Sequence, residues 1–165
     1  MNNYEIEEIY NMYFKDLFIY AFSICKDYHL TEEVVSETFY RAFITINNER
    51  NSVKYWLLHV CRNIIIDYYR KNKKVSNLDI EIQELKFEDN SFEKIIKEEE
   101  KRELFNAILK LSDIYKEVII MFYFMNLTTK EISKSLCISE GAVRNILYRG
   151  RQKLGKILRE GKYEF

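Results

Sequence analysis

The sequence predicts an all-α protein built from two small helical domains that are joined by an acidic linker. The chain of 165 residues contains no proline and only four glycines, so most helix-breaking residues are absent. Its hydrophobic content of 47% is ample for a core, and the apolar residues recur at helical spacing. This length allows one domain or two small ones, each of which needs its own core.

The first domain is predicted to hold helices over 4–26, 31–46 and 53–72. We expect the second helix to begin at Thr31, because Glu32 and Glu33 then lie in its first turn, where the helix dipole favours acids. Its expected buried stripe is Val35, Phe39, Ala42, Phe43 and Ile46. The third helix is expected to bury Val53, Trp56, Leu57, Val60, Ile64 and Tyr68.

Residues 74–91 are predicted to be a mostly extended linker. The segment is acidic, and its DIEIQEL portion alternates apolar and polar residues as a strand would. An isolated strand would have no partner in this chain, however. The domains are therefore expected at 1–73 and 92–165.

The second domain is predicted to hold helices over 92–111, 113–125, 129–136 and 140–159, of which the last two form a helix-turn-helix. Thr128 and Glu131 have the spacing of a capping box, and Ser139 is a good N-cap for the last helix. Cys137 and Ile138 break the helical pattern between them. The last helix is expected to bury Val143, Ile146, Leu147 and Leu154.

The opposite side of the last helix is polar and basic. It carries Gly141, Arg144, Asn145, Tyr148, Arg149, Arg151 and Gln152. A docked helix that presents cations and amides outward is suited to a DNA major groove. The alternative is an ordinary helical hairpin with a solvated basic face.

The zero net charge conceals two basic blocks. Residues 54–76 carry six Lys/Arg against one Asp/Glu, and residues 141–162 carry seven against one. Residues 77–104, between them, carry ten acids against five bases. Both basic blocks lie on helices with an apolar side, which favours two separate phosphate-facing surfaces over simple solvated faces.

The outward side of the third helix interleaves aromatic rings with cations. Its residues are Tyr55, His59, Arg62, Asn63, Ile66 and Arg70. Aromatic rings can stack on unpaired bases, and an Asn side chain can bind a base edge. Trp56 fits either this surface or the core. The basic end of the helix, from Arg70 to Lys74, could also be a solvated helix terminus whose cations complement the helix dipole.

Several function classes find no support in the sequence. The three cysteines, at 25, 61 and 137, indicate reduced thiols in a cytoplasmic protein. The start MNNYEIEEIY lacks the layout of a signal peptide, and no apolar run reaches the ~18 residues of a membrane span. Phosphate-binding glycine motifs, paired zinc ligands and a nucleophile with an oriented base are not evident. We therefore expect no enzyme, cofactor, metal site or membrane insertion.

Three segments in this order resemble the bacterial sigma-70 superfamily: TEEVVSETFYRAF, VKYWLLHVCRNIIIDYYRK and the stretch from LSDIYKEVIIMFYF to SEGAVRNILYRGRQKL. The short chain with only two domains resembles members of the extracytoplasmic-function (ECF) branch or the related toxin- and bacteriocin-gene regulators. The resemblance implies a sigma factor that binds core RNA polymerase, recognises the −10 and −35 promoter elements and opens DNA. Two alternatives are a regulator that uses only the helix-turn-helix and an adaptor that occupies polymerase without recognising DNA.

The resemblance also implies the partner of each segment. The helix 31–43 is similar to the one that docks on the clamp helices of the polymerase largest subunit, and the second domain would contact the polymerase flap. The implied contact residues are Glu33, Ser36, Glu37 and Arg41, where the family usually has Asp at 33 and Gln at 36. The acidic linker would thread the RNA exit path, with a solvated tether as the alternative. An anti-sigma factor is a further candidate partner.

The implied DNA contacts lie in both domains. Residues 47–54 are similar to the loop that captures a flipped −10 base. The implied −10 binding and melting residues are Tyr55, Trp56, Arg62, Asn63, Arg70 and Lys71. The implied −35 residues are Ser139, Arg144, Asn145, Tyr148, Arg149, Arg151 and Lys153. Of these, Arg144 and Asn145 would contact base edges, and Arg149, Arg151 and Lys153 would contact phosphates. The family usually has Thr at 142 and Ala at 150, and we expect Gly150 to loosen the helix at a cost of ~1 kcal/mol.

Overall fold

A computed structural model describes residues 3–45, 53–72 and 99–161. The regular structure of these ranges consists of seven α-helices, which confirms the all-α prediction. The chain divides into two compact units, Met1–Lys86 and Phe87–Phe165. The predicted linker 74–91, and residues 47–52 of the predicted base-capturing loop, lie outside the described residues.

In the first unit the described residues form three helices, each of which packs on the other two. They are α1 (Asn3–Cys25), α2 (Tyr28–Thr45) and α3 (Val53–Asn72). The six residues of α1 from Leu17 to Phe22 are all buried, because this helix is covered by both α2 and α3. The core is therefore centred on the second half of α1.

The second helix begins three residues earlier than predicted, at Tyr28. The cap is Asp27, whose carboxylate Oδ1 accepts a hydrogen bond from the Leu30 N–H at 2.9 Å. Thr31 is buried, and its hydroxyl donates to the Asp27 carbonyl oxygen at 2.7 Å. The acids Glu32 and Glu33 consequently lie beyond the first turn, so the predicted start at Thr31 was wrong.

The buried side of α3 is turned relative to the predicted stripe. The structure buries Val53, Leu57, Leu58, Cys61 and Ile65. Trp56, Val60 and Ile64 are half-buried, and Tyr68 is exposed near the end of the helix. The segment from Trp56 to Ile66 has apolar residues on almost every side, so periodicity alone does not select one stripe. Packing against α1 and α2 makes the selection.

Two of the three thiols are buried in this unit, and they are inert structural groups. Burial raises the pKa of the Cys61 thiol to about 12, and a hydrogen bond with Thr38 opposes the shift. Burial, helped by the negative charge of Asp27, likewise raises the pKa of Cys25 to about 12. Both side chains therefore remain protonated at neutral pH, whereas the thiol of Cys137 in the second unit is exposed.

The part of the second unit that the structure describes forms four helices. They are α4 (Glu99–Leu109), α5 (Asp113–Tyr123), α6 (Thr129–Leu136) and α7 (Glu140–Gly161). The long helix α7 packs on the other three, and its buried residues are Val143, Leu147 and Gly150. Fully buried side chains from the neighbouring helices complete the core, among them Phe105 of α4 and Met121 of α5.

The turn between α6 and α7 has the predicted chemistry. The Glu131 N–H donates to the Thr128 hydroxyl at 3.1 Å, and the Thr128 N–H donates to the Glu131 carboxylate at 2.8 Å, which confirms the capping box. The Ser139 hydroxyl accepts from the Ala142 N–H at 3.0 Å and caps α7. Cys137 ends α6 in the left-handed conformation, with φ of 55°. The chain therefore turns from α6 into α7 within three residues.

Replacing Cys137 with glycine is expected to raise the free energy of unfolding by about 1 kcal/mol, since glycine adopts the left-handed conformation without the steric penalty of a side chain. Cys137→Val is expected to lower it by at least about 1 kcal/mol, because a β-branched residue disfavours positive φ. Urea denaturation followed by circular dichroism measures both values. A Gly variant less stable than the parent would contradict this account of the turn.

Gly150 is a point of close helix packing. A Cβ atom built on Gly150 would lie 2.8 Å from the Cδ1 atom of Ile119 and 3.6 Å from the Cβ atom of Tyr115. The missing side chain therefore lets α7 approach α5 closely, in addition to the helix-propensity cost expected from the sequence. The helix continues unbroken through this position to Gly161.

Candidate nucleic-acid interface

The predicted polar side of α7 faces solvent in the structure. Arg144, Asn145 and Arg149 are exposed, and Tyr148 is 61% exposed. The Gln152 amide donates to the Tyr148 hydroxyl at 3.0 Å, which orients the ring along the helix. These residues form one outward surface on the second helix of the helix-turn-helix, the position from which such folds contact base edges.

One carboxylate lies at the start of this surface. The Glu140 Oε2 atom is 3.6 Å from the Arg144 Nη1 atom, in an ion pair between residues four apart along the helix. Both side chains are accessible to solvent, so the pair is screened and weak. Arg144 can therefore leave Glu140 for a stronger partner.

Two predicted phosphate contacts lie at the edges of the surface, against aromatic rings of α5. The Arg151 Nε atom donates to the Tyr123 hydroxyl at 2.5 Å, and the guanidinium carbon lies 5.5 Å from the centre of the Tyr123 ring. The Lys153 ammonium lies 5.4 Å from the centre of the Tyr115 ring. These cation–π contacts preposition both charges at moderate energy. The sequence pattern showed the charges but not the rings that hold them.

Ser139 has a structural role in addition to its predicted DNA contact. Its hydroxyl oxygen accepts the capping bond from Ala142, but the hydroxyl proton is still available to an acceptor. Ser139 is exposed, so a phosphate oxygen could approach that proton. The predicted DNA contact of Ser139 stays a prediction.

The outward side of α3 has the mixed character that the sequence predicted. His59, Asn63 and Arg70 are exposed, while Tyr55, Trp56 and Arg62 are half-buried. The Tyr55 and His59 rings are nearly parallel, with centroids 6.4 Å apart. Lys71 is exposed in the last turn of the helix. Aromatic faces and cations are thus adjacent on one accessible side, as single-stranded DNA requires.

An exposed tyrosine pair at the end of α3 was missed in the sequence. The Tyr68 and Tyr69 rings meet edge to face with centroids 5.5 Å apart, next to Arg70 and Lys71. The Tyr69 hydroxyl donates to the Ile24 carbonyl oxygen at 3.4 Å and links the end of α3 to the end of α1. The signal in the sequence was the run Tyr-Tyr-Arg-Lys at residues 68–71. The prediction had assigned Tyr68 to the core but Arg70 and Lys71 to the surface.

The outward side of α2 combines acids with two exposed apolar residues. Glu33 and Ser36 are exposed, and the Arg41 Nε atom donates to the Glu37 carboxylate at 2.7 Å. Tyr40 and Ile44, which the sequence analysis did not select, are 61% and 68% exposed on the same side. Exposed aromatic and aliphatic residues beside charges are common at protein interfaces.

Metal binding and membrane insertion find no support in the described ranges. Residues 3–45, 53–72 and 99–161 contain no group of three or more His, Cys, Asp or Glu side chains placed to hold a metal ion. The helices in those ranges also lack the combination of length and apolar character that a membrane span needs.

Comparison with known proteins identifies both units. Residues 9–75 match the family model for Sigma-70 region 2, and residues 101–154 match the model for Sigma-70, region 4. The chain is 36% identical to the ECF RNA polymerase sigma factor SigM of Bacillus subtilis, over 94% of this chain and 96% of that protein. It is 29% identical to SigW, another ECF RNA polymerase sigma factor of that organism, over 93% and 88%.

Solved structures share the fold. The sigma factor RpoE in a co-crystal with the anti-sigma factor NepR from Bartonella quintana has a TM-score of 0.69 at 18% identity, over 94% of this chain and 97% of that one. CnrH in complex with the cytosolic domain of CnrY has a TM-score of 0.66 at 20% identity, over 96% and 90%. The sequence relationship over almost the full length of SigM establishes more than the fold. The chain therefore belongs to the ECF sigma factors of the sigma-70 family, which direct RNA polymerase to promoters.

Proposed function

We propose that three surfaces of this sigma factor divide the work of promoter recognition. The outward side of α7 binds the −35 element as duplex DNA, the outward side of α3 binds the −10 element as a single strand, and the outward side of α2 docks on core polymerase. In this proposal the domains are 1–73 and 92–165, with residues 74–91 as the linker.

The observation that carries the proposal is the composition of the exposed side of α7. Arg144 and Asn145 are adjacent and exposed in the first half of the second helix of the helix-turn-helix. Arginine binds guanine and asparagine binds adenine through paired hydrogen bonds in the major groove. Ser139, Tyr148, Arg149, Arg151 and Lys153 are then assigned to the flanking phosphates and sugars.

The surface on α3 suits DNA that is no longer paired. Tyr55 and Trp56 offer rings to unstacked bases, Asn63 offers an amide to a base edge, and Arg62, Arg70 and Lys71 supply positive charge. Captured bases offset the cost of unstacking, so the strands separate without nucleotide hydrolysis. The polymerase supplies the catalysis, and the sigma factor itself is not an enzyme.

The surface on α2 suits a protein partner. Glu33, Ser36, Glu37 and Arg41 present hydrogen-bonding groups on one exposed side of a rigid helix, and we assign them to the clamp helices of the polymerase largest subunit. The second domain is assigned to the polymerase flap. This partner places the protein in the cytoplasm. An anti-sigma factor is a further proposed partner, since RpoE and CnrH were each solved as complexes.

In vitro transcription with core polymerase, on the promoter of the protein's own operon, tests the proposal. We expect a defined start site that depends on both promoter elements. Replacing either element with unrelated sequence should abolish initiation. A regulator that used the helix-turn-helix alone would bind duplex DNA without polymerase and would not initiate. The match of residues 9–75 to region 2 disfavours that alternative.

Substituting lysine for Glu37 is expected to weaken binding to core polymerase by about tenfold or more. The change removes one charged hydrogen-bonding group, worth about 1.5–3 kcal/mol, and places a cation where an acid is proposed to dock. Fluorescence anisotropy with labelled protein and core polymerase measures the affinity.

The matched control is Glu32→Lys, which makes the same charge change at an exposed site about 140° around α2 from Glu37. Its affinity should stay within about twofold of the parent, as expected for a charge outside the buried contact. Equal losses in both variants would indicate a general charge effect. An unchanged affinity in Glu37→Lys would place the docking surface elsewhere.

A further inference from the structure

Glu140 is an acidic residue at the start of α7, a helix whose charged residues are mostly basic. The helix carries only two acids, Glu140 in its first turn and Glu160 in its last, against six Lys/Arg residues. The Glu140 side chain is half-buried against the surface assigned to the −35 element, and its Oε2 atom lies 3.6 Å from the Arg144 Nη1 atom. An acid in the first turn complements the helix dipole, but phosphates repel a carboxylate that faces DNA, so the partner that suits Glu140 on DNA is a base that donates a hydrogen bond.

The major groove offers few groups that a carboxylate can bind. Glutamate accepts hydrogen bonds but donates none when ionised. The exposed donors in the groove are the N4 amino group of cytosine and the N6 amino group of adenine, and acidic side chains pair with cytosine N4. Adenine is better matched by Asn145, whose amide both donates and accepts.

The spacing of Glu140 and Arg144 fits two neighbouring positions on DNA. Residues four apart in a helix are separated by about 6 Å along its axis, and successive base pairs are about 3.4 Å apart. The two side chains extend from the same side of α7, as their ion pair shows. They can therefore reach base pairs one or two steps apart, and an exposed pair of this kind opens at little cost.

We propose that Glu140 is a specificity-determining residue that selects a cytosine within the −35 element by accepting a hydrogen bond from its N4 amino group, while Arg144 binds a neighbouring guanine. The proposal rests on the assignment of α7 to the −35 element. In the free protein the two side chains form the weak ion pair, and on DNA each exchanges that pair for a base.

Selection from promoter pools with randomised −35 positions tests the proposal. Holoenzyme assembled from the full chain and core polymerase is incubated with the pool, and bound sequences are counted. We expect the parent protein to prefer cytosine at one position by about tenfold, within the range for one good base contact. Glu140→Ala should abolish that preference. Glu140→Gln should let adenine compete at the same position, because glutamine binds adenine through two hydrogen bonds.

Glu160→Gln is the matched control. It removes one carboxylate from the same helix, but about 30 Å away along the axis. Both substitutions reduce the negative charge by one, but only those at Glu140 remove a carboxylate from the surface assigned to the −35 element. The cytosine preference should therefore survive in Glu160→Gln and disappear only in the Glu140 variants.

The possible outcomes distinguish a failure of the role proposed for Glu140 from a failure of the assignment of α7 to the −35 element. If Glu140→Ala keeps the parent's preferences while Arg144→Ala shifts them, the role of Glu140 is refuted and the assignment of α7 stands. If Glu140→Ala changes binding to all sequences by the same factor, Glu140 only supports the helix, and the inference is again refuted. A parent protein that selects no −35 sequence overturns both.

Discussion

A Phe105→Ala variant is expected to lose about 3–5 kcal/mol of stability in the second unit, the largest loss that a single truncation should produce there. The Phe105 side chain of α4 is fully buried and meets the Phe124 ring edge to face, with centroids 5.9 Å apart. Truncation to alanine removes apolar contact and leaves a cavity beneath the helix-turn-helix. A small domain has only about 5–15 kcal/mol in total, so −35 binding should weaken as the unfolded fraction rises.

Amide hydrogen exchange on the full chain measures this effect where it occurs. Peptides that contain Val118 to Met121 and Val143 to Leu147 should exchange faster in Phe105→Ala than in the parent. The adjacent Asn106 is exposed, so Asn106→Ala should stay within about 0.5 kcal/mol and serves as the control. Unchanged protection in Phe105→Ala would show that α4 contributes little to this core.

Replacing both Tyr55 and Trp56 with alanine is expected to reduce promoter opening by about 30-fold or more, while closed complexes still form. Each stack between a base and an aromatic ring contributes about 1–3 kcal/mol, and the two rings begin the outward side of α3. Opening is measured by permanganate reactivity of unpaired thymines in the −10 region. The defect in opening should disappear on a template whose −10 region is already unpaired by mismatches, because the protein then does not have to separate the strands.

Two further variants separate stacking from general damage to α3. Tyr55→Phe keeps the ring and should open DNA as the parent does, whereas Tyr55→Ala alone should show part of the defect. Tyr68→Ala removes an exposed ring from a different side of the same helix and should leave opening unchanged. A loss in Tyr68→Ala as large as in Tyr55→Ala would refute the assignment of the Tyr55 side of α3.

Local patterns in the sequence predicted most of the described secondary structure. The capping box of Thr128 and Glu131 and the cap at Ser139 predicted both ends of the α6–α7 turn, because these contacts span only three residues. The predicted helix 92–111 ends at Leu109, where turns closed by the Ala107 and Ile108 carbonyls finish the helix. The predicted start of α2 at Thr31 was wrong because Asp27, four residues earlier, caps the helix, and Thr31 is buried within it.

The sequence by itself determined that the chain is helical, where most helices lie, and which side of α7 faces solvent, since one apolar stripe on an otherwise polar helix can be buried in only one way. Tertiary structure alone decided which apolar residues of α3 form the core, because that helix offers several stripes and only α1 and α2 select between them. It also decided that Arg151 and Lys153 rest on rings of α5, and that Gly150 lets α7 approach Ile119. These contacts join residues 28–38 positions apart, and no local period encodes such a distance.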